Sequence, residues 1–189
     1  MHLSHLLATG FALVSSFPFV SATSQLGPSR LESRASPSKT CSPATSEYLY
    51  HIHADGISKL GFMGHYSYIR LATNLYAPGF EESDQLVWNL AENSDGTFKI
   101  QTSDGAKCAH TRGKNRKVGL ASCKDSVESS FQIDCTSCGT TSCGDPFANK
   151  CSIRSRKEKG QCLSRIGKLI MTRECDEKDK RQRWGFHLA

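Results

Sequence analysis

The chain has 189 residues, 38% of them hydrophobic and 22% charged, with 9 cysteines and a formal net charge of +6 at pH 7. Residues 1–22 contribute no charge and residues 23–34 contribute +1, which leaves +5 for residues 35–189. An excess of that size does not by itself indicate nucleic acid, and no segment is long and apolar enough for a helical membrane span.

In chain order, the first element is a targeting segment. Leu6 to Val20 is apolar and broken by Pro18, and Val20-Ser21-Ala22 supplies the small residues of a cleavage site. Residues 1–22 are therefore read as a signal peptide, and the mature product as secreted. Residues 23–40 are rich in Ser, Pro and Arg without an apolar period, a composition that buries too little surface to offset chain entropy. Within them Leu31-Glu32-Ser33-Arg34 resembles a fungal kexin-type L-x-x-R processing site; the alternative is a linker that contains arginine. The folded part is expected to start near Cys41 and to run as one domain over 41–189, long enough for a real core.

That domain repeats itself. YHIHADGISKLGF from Tyr50, FKIQTSDGAKCAHT from Phe98 and CSIRSRKEKGQCLSR from Cys151 align. Each predicts a strand centred on Ile52, Ile100 or Ile153, a polar turn, and a second strand beginning near Leu60, Cys108 or Cys162. IRLAT at Ile69–Thr73 matches VGLAS at Val118–Ser122, with Ile170 and Thr172 in the third copy. Each copy closes on an aromatic: Trp88, Phe131 and Trp184. The isoleucines are 48 and 53 residues apart and the aromatics 43 and 53. Three copies of short strands with no helical signal suit a closed all-β shape without free edges. The aromatics are then core plugs, each contributing a few kcal/mol of burial, on the order of 2–3.

The cysteines follow the same repeat. Cys108 and Cys123 occupy the motif positions of Cys162 and Cys175, where the first copy has Leu60 and Asn74. The expected disulfides are Cys108–Cys123 and Cys162–Cys175, each closing a short loop worth on the order of 3 kcal/mol. The odd count leaves one thiol unpaired or intermolecular.

QCLSRIGKLIMTREC followed by RQRW resembles the signature of the ricin B-type lectin family: Cys-Leu, a second cysteine about a dozen residues on, then Q-x-W. The likeness spans roughly Cys41 to Ala189, and is clearest in the third copy. It implies a β-trefoil with pseudo-three-fold symmetry, a six-stranded barrel capped by three hairpins, and a sugar-binding activity. The family's pocket uses an Asp after the first cysteine position, an aromatic platform near the second, and an Asn beside the Gln of Q-x-W. Here the Asp positions hold Gly61-Phe62, Ala109-His110 and Leu163-Ser164. Ala121 and Arg173 stand at the platform positions of copies two and three, and Ser129-Ser130 and Arg181-Gln182 beside the Gln-like positions. Copy one keeps Asp84 and Gln85, with Phe62, Tyr66, Tyr68, Tyr76 and Phe80 nearby, and is the candidate for a conventional sugar site.

Three other features bear on function. The insertion CTSCGTTSCGDPFANKC, Cys135 to Cys151, has a zinc-like spacing, but in a secretory protein it is expected to form two disulfides, one of them using Cys41. His51 and His53 share one face of a strand; without a third ligand nearby they are read as surface histidines rather than a metal site. Basic residues cluster at Lys107, Arg112, Lys114, Arg116 and Lys117, at Arg154, Arg156, Lys157 and Lys159, and at Lys178, Lys180, Arg181 and Arg183. They read either as solvated loop charge or as an anion-binding face, with Arg112, Lys114, Arg116 and Lys117 as the first candidates. Fibroblast growth factors, also trefoils, bind heparin through such patches, which is an analogy of fold.

No nucleophile elbow, phosphate loop or zinc-protease motif is present in the sequence. The expectation is a secreted lectin-like module, not an enzyme, without metal or cofactor, whose partner is an extracellular glycan, anionic rather than neutral, or a host protein. A fungal effector role fits the processing site and the cysteine density. The alternative is a trefoil protease inhibitor or protein-binding effector acting through residues 77–85 or the Cys135–Cys151 insertion.

Overall fold

Alternation of apolar and polar residues is the local rule of this chain. In Phe98–Thr102 the first, third and fifth residues are buried and the two between are half-buried, as expected of strands with one face on a core. The computed structural model describes residues 40–45, 48–55, 61–65, 68–72, 84–124 and 126–189. For 61–65, 68, 70–72 and 84–85 it describes only the backbone. The expected signal peptide, the Leu31–Arg34 site, and Leu60, Tyr66, Asn74, Tyr76 and Phe80 lie outside the described residues.

The first copy supplies β1 (Leu49–Ala54), β2 (Gly61–His65), β3 (Tyr68–Ala72), β4 (Asp84–Gln85) and β5 (Trp88–Glu92). The second supplies β6 (Phe98–Thr102), β7 (Lys107–His110), β8 (Gly119–Ser122) and β9 (Phe131–Asp134). After an inserted strand, β10 (Ser137–Thr140), the third supplies β11 (Pro146–Ser155), β12 (Gln161–Ile166), β13 (Leu169–Glu174) and β14 (Trp184–Leu188).

Six strands close a ring. β1 pairs with β5, β5 with β6, β6 with β9, β9 with β11, β11 with β14, and β14 with β1, all antiparallel. A closed ring leaves none of these strands with a free edge. Three hairpins, β2–β3, β7–β8 and β12–β13, form the cap. They touch one another through Tyr68↔Gly119, Leu169↔Arg70 and the bridge Lys117↔Met171. This is a β-trefoil.

The repeat becomes symmetry. Ile52, Ile100 and Ile153 are fully buried, and each lies across the ladder from another large apolar residue: Phe186, Leu90 and Ile133. Trp88, Phe131 and Trp184 are buried to the same degree. Trp184 also donates its indole N–H to the Leu163 carbonyl at 3.0 Å, so its polar edge is satisfied. In the cap, the equivalent residues Ile69, Val118 and Ile170 are buried against each other's strands. The Ile69 N–H donates to the Val118 carbonyl and the Val118 N–H to the Ile170 carbonyl.

Four disulfides are present: Cys108–Cys123, Cys162–Cys175, Cys41–Cys138 and Cys135–Cys151. The insertion thus carries two bridges with Cys41 as the outside partner, and Cys143 is left as an exposed thiol. β10 and the start of β11 form a ribbon outside the ring. The long β11 serves both ribbon and ring because its register shifts between Ala148 and Cys151, where Lys150 takes a left-handed φ of 52°.

One expectation is corrected by the fold. His53 is not a surface histidine but is 8% exposed, and its ring stacks edge-on against His187 at 4.5 Å between centroids. Closing the ring sets β14 beside β1, so a residue far along the chain covers it. His187 in turn donates its Nε2–H to Asn149 Oδ1 at 3.1 Å.

Candidate ligand-binding cleft

The loop from β7 to β8 carries Arg112, Lys114, Arg116 and Lys117, and all four side chains are exposed. Its two ends are anchored differently. At the start Thr111 is buried; its N–H donates to the Glu128 carbonyl at 2.9 Å and its hydroxyl lies 3.2 Å from that of Ser155. Further along, Thr172 of β13 clasps the loop. Its buried hydroxyl donates to the Gly113 carbonyl at 2.7 Å and accepts from the Arg116 N–H at 3.1 Å, while its own N–H donates to the Arg116 carbonyl at 2.9 Å. The basic loop of the second lobe is therefore bolted to the hairpin of the third.

Between them lies an open cleft of about 390 Å³. Arg112, Arg116 and Lys117 supply its charge, Asn115 a polar edge, and Met171 an apolar wall. Lys114 is exposed but does not line it. The Arg112 guanidinium lies across Gly119: a Cβ there would stand 2.8 Å from Arg112 Nε, closer than side chains tolerate. Glycine at 119 is what lets the guanidinium lie against the backbone. Asn115 adopts φ 56°, a left-handed conformation that asparagine tolerates better than most residues. Its Oδ1 accepts from Arg173 Nη1 at 3.3 Å. Among the described residues no carboxylate pairs with Arg112, Arg116 or Lys117, and none lines the cleft.

The other basic clusters are largely matched by acids. Arg154 faces Asp134 at 3.9 Å, Arg156 faces Asp95 at 3.8 Å, and Lys157 pairs with Glu128. Arg181 Nε reaches both oxygens of Asp179, at 2.9 and 3.1 Å. That bond holds the Asp179 carboxyl below its ordinary range, as Lys157 does for Glu128. A smaller cavity of about 140 Å³ beside Asp134, Arg154 and Asp176 is of mixed charge for the same reason.

At several of the positions that the lectin resemblance marks for sugar, copies two and three carry residues that pack or brace the fold. In copy three Leu163 and Ser164 are buried, and Gln182 donates to the Glu174 carbonyl at 2.7 Å and accepts from the Asp176 N–H at 3.0 Å. The Gln and Trp of Q-x-W thus brace the last loop and fill the core. In copy two Ala109 and Ser129 are buried, and Ser130 donates to the Ser126 carbonyl at 3.1 Å. His110 sits beside the Glu128–Lys157 pair, and burial, then Arg112, lowers its pKa. In copy one the backbone of β4 sets Asp84 opposite His65 and Gln85 opposite Gly64. Their side chains, with those of Phe62 and Tyr68 and most of the 77–85 loop, lie outside the described residues.

Sequence reading missed the His53–His187 pair and the role of Thr172. The only signal for Thr172 was its place in the third copy of the IRLAT motif.

No family model matches the chain, and no curated protein matches it. Solved structures do. The designed three-fold symmetric protein ThreeFoil superposes with TM-score 0.53 at 14% identity, over 74% of this chain and 97% of that one. The BEL β-trefoil gives TM-score 0.52 at 12% identity, over 79% and 97%. Cry35Ab1 gives TM-score 0.55 at 14% identity over 77% of this chain, which spans only 37% of Cry35Ab1. At these identities the likeness is one of fold.

Proposed function

We propose that this chain is a secreted β-trefoil binding module, not an enzyme, that takes an anionic glycan in the cleft between the β7–β8 loop and the β13 strand. One observation carries the reading: Arg112, Arg116 and Lys117 converge on a cleft lined, among the described residues, by no carboxylate, whereas Arg154, Arg156, Lys157 and Arg181 each face an acid. Three cations around an apolar wall suit a sulfate or uronate group on a sugar whose apolar face rests on Met171. Four disulfides fit an oxidising, extracellular setting. No helix among the described residues is long and apolar enough to cross a membrane. The ricin B-type signature and a fungal effector role belong to the same reading.

Retention on immobilised heparin and polygalacturonate tests it. Binding at exposed charges should fall steeply as salt rises, because the screening length is about 10 Å at 0.1 M. Replacing Arg112, Arg116 and Lys117 with alanine should abolish retention without unfolding the domain, since exposed charges contribute little to stability. Strong lactose binding, with no retention on either polyanion, overturns the reading.

A second reading, a protein-binding or inhibitor role, is favoured by the ribbon. All four residues of β10 are exposed, and its base is held by Cys41–Cys138 and Cys135–Cys151. Inhibition of a serine or cysteine protease panel that is lost on deleting residues 139–147 would favour this reading.

A further inference from the structure

The cleft does not end at Asn115. A second one, of about 740 Å³, begins there and is lined by Arg173, Glu174, Asp176, Asp179 and Arg181 of the third lobe. Asn115 belongs to both, and its bond from Arg173 Nη1 joins the two lobes at the boundary. The two compartments differ in charge. Among the described residues, the charged groups that line the first are all cations. In the second, Arg181 is taken up by Asp179 through both carboxylate oxygens, which leaves Arg173 against Glu174 and Asp176. Asp176 Oδ1 already accepts the Lys178 N–H at 2.8 Å. The Glu174 side chain is exposed, and only its backbone carbonyl is taken, by Gln182. A run of like anions would meet repulsion in this compartment. Sugar hydroxyls would meet acceptors, because an ionised carboxylate only accepts hydrogen bonds.

We propose that the two clefts form one bipartite site across lobes two and three that reads a mixed acidic glycan: an anionic sugar against Arg112, Arg116 and Lys117, and an adjoining uncharged, hydroxyl-bearing sugar against Glu174 and Asp176. This rests on the anionic-glycan reading and adds the class of chain that is preferred. A uniform polyuronate places a second negative charge beside Glu174 and Asp176. A chain alternating uronate with an uncharged sugar places hydroxyls there instead.

The test compares oligosaccharides of hyaluronan, which alternate glucuronate with N-acetylglucosamine, with oligogalacturonates of matched charge, by titration calorimetry on the secreted protein. The wild type should bind the alternating chain more tightly. Glu174→Gln should weaken the alternating chain about tenfold, the scale of a lost charge-assisted hydrogen bond, and leave the uniform chain unchanged or tighter. Arg116→Ala should weaken both. An equal or absent effect of Glu174→Gln on the two chains, with oligogalacturonate still bound, overturns the bipartite site alone. Failure of the wild type to bind either chain at low salt overturns the cationic cleft with it. Because the Glu174 side chain is exposed, the variant should fold, and an unchanged melting curve verifies that.

Discussion

Thr172 couples the stability of the domain to the shape of its cleft, and Thr172→Val separates the two contributions. The substitution keeps the volume and β-branching of a wholly buried residue and removes only the hydroxyl. The Gly113 carbonyl loses its donor and the Arg116 N–H its acceptor, while the backbone bond from the Thr172 N–H to the Arg116 carbonyl survives. A polar group left without a partner costs about 1–3 kcal/mol when buried. Gly113 and Arg116 lie near solvent, so water recovers part of this, and about 1–3 kcal/mol is expected for the pair. For a domain of this size each 1 kcal/mol moves the melting temperature by about 2–4 °C, giving a fall of about 2–12 °C. Every cation stays on the chain, yet the loop bearing Arg116 is no longer held at the distance that forms the cleft. Heparin elution should therefore move to lower salt along with the melting temperature, and Thr172→Ser should restore both. Scanning calorimetry and a salt-gradient heparin column measure the two effects. A Thr172→Val protein that melts and elutes with the wild type would refute the clasp.

Gly119→Ala should displace Arg112, whose Nε would stand 2.8 Å from the new Cβ, and should weaken heparin retention as much as Arg112→Ala does, with little loss of stability; equal retention to wild type would count against the packing. The pKa values of His53 and His187 are both lowered, chiefly by burial, with the neighbouring His187 adding to the effect at His53 and Asp55 opposing it at both. The unfolded chain therefore binds protons before the folded one does, so stability is fully present above about pH 6.5 and is lost as pH falls below it. Melting temperatures from pH 7.5 down to 5 should show this fall, and His187→Phe should remove part of the slope. N-terminal sequencing of the secreted protein should find Ala35, following cleavage after Arg34; a start at Thr23 would show that the L-x-x-R site is not used.

The repeat was legible in the sequence because a β-trefoil writes its symmetry into side-chain period. Ile52, Ile100 and Ile153, like the closing aromatics, must each fill the same space in a ring with three equivalent sectors. Cys108–Cys123 and Cys162–Cys175 were legible because each bridge clamps the base of its hairpin at the same place, with the same Cα–Cα distance of 4.9 Å, although the two hairpins differ in length. The Q-x-W signature was legible for the same reason: Gln182 and Trp184 hold the architecture together whatever the site binds. The basic clusters were visible as composition, but their worth was not. Arg154 and Arg156 look no different in sequence from Arg112 and Arg116, and only the fold brings Asp134 and Asp95 to the first pair.

What the sequence determined by itself is therefore what repeats locally: strand period, turn placement, core plugs and short-loop disulfides. Tertiary structure decided everything that depends on residues distant along the chain. Ring closure set β14 against β1 and buried His53 under His187. Contact between hairpins gave Thr172 its hold on the loop at Arg116 and formed a cleft whose apolar wall, Met171, comes from another lobe. The physical reason is that charge and hydrogen-bond energies depend on separation in space, and in a closed barrel that separation is set by which strands meet.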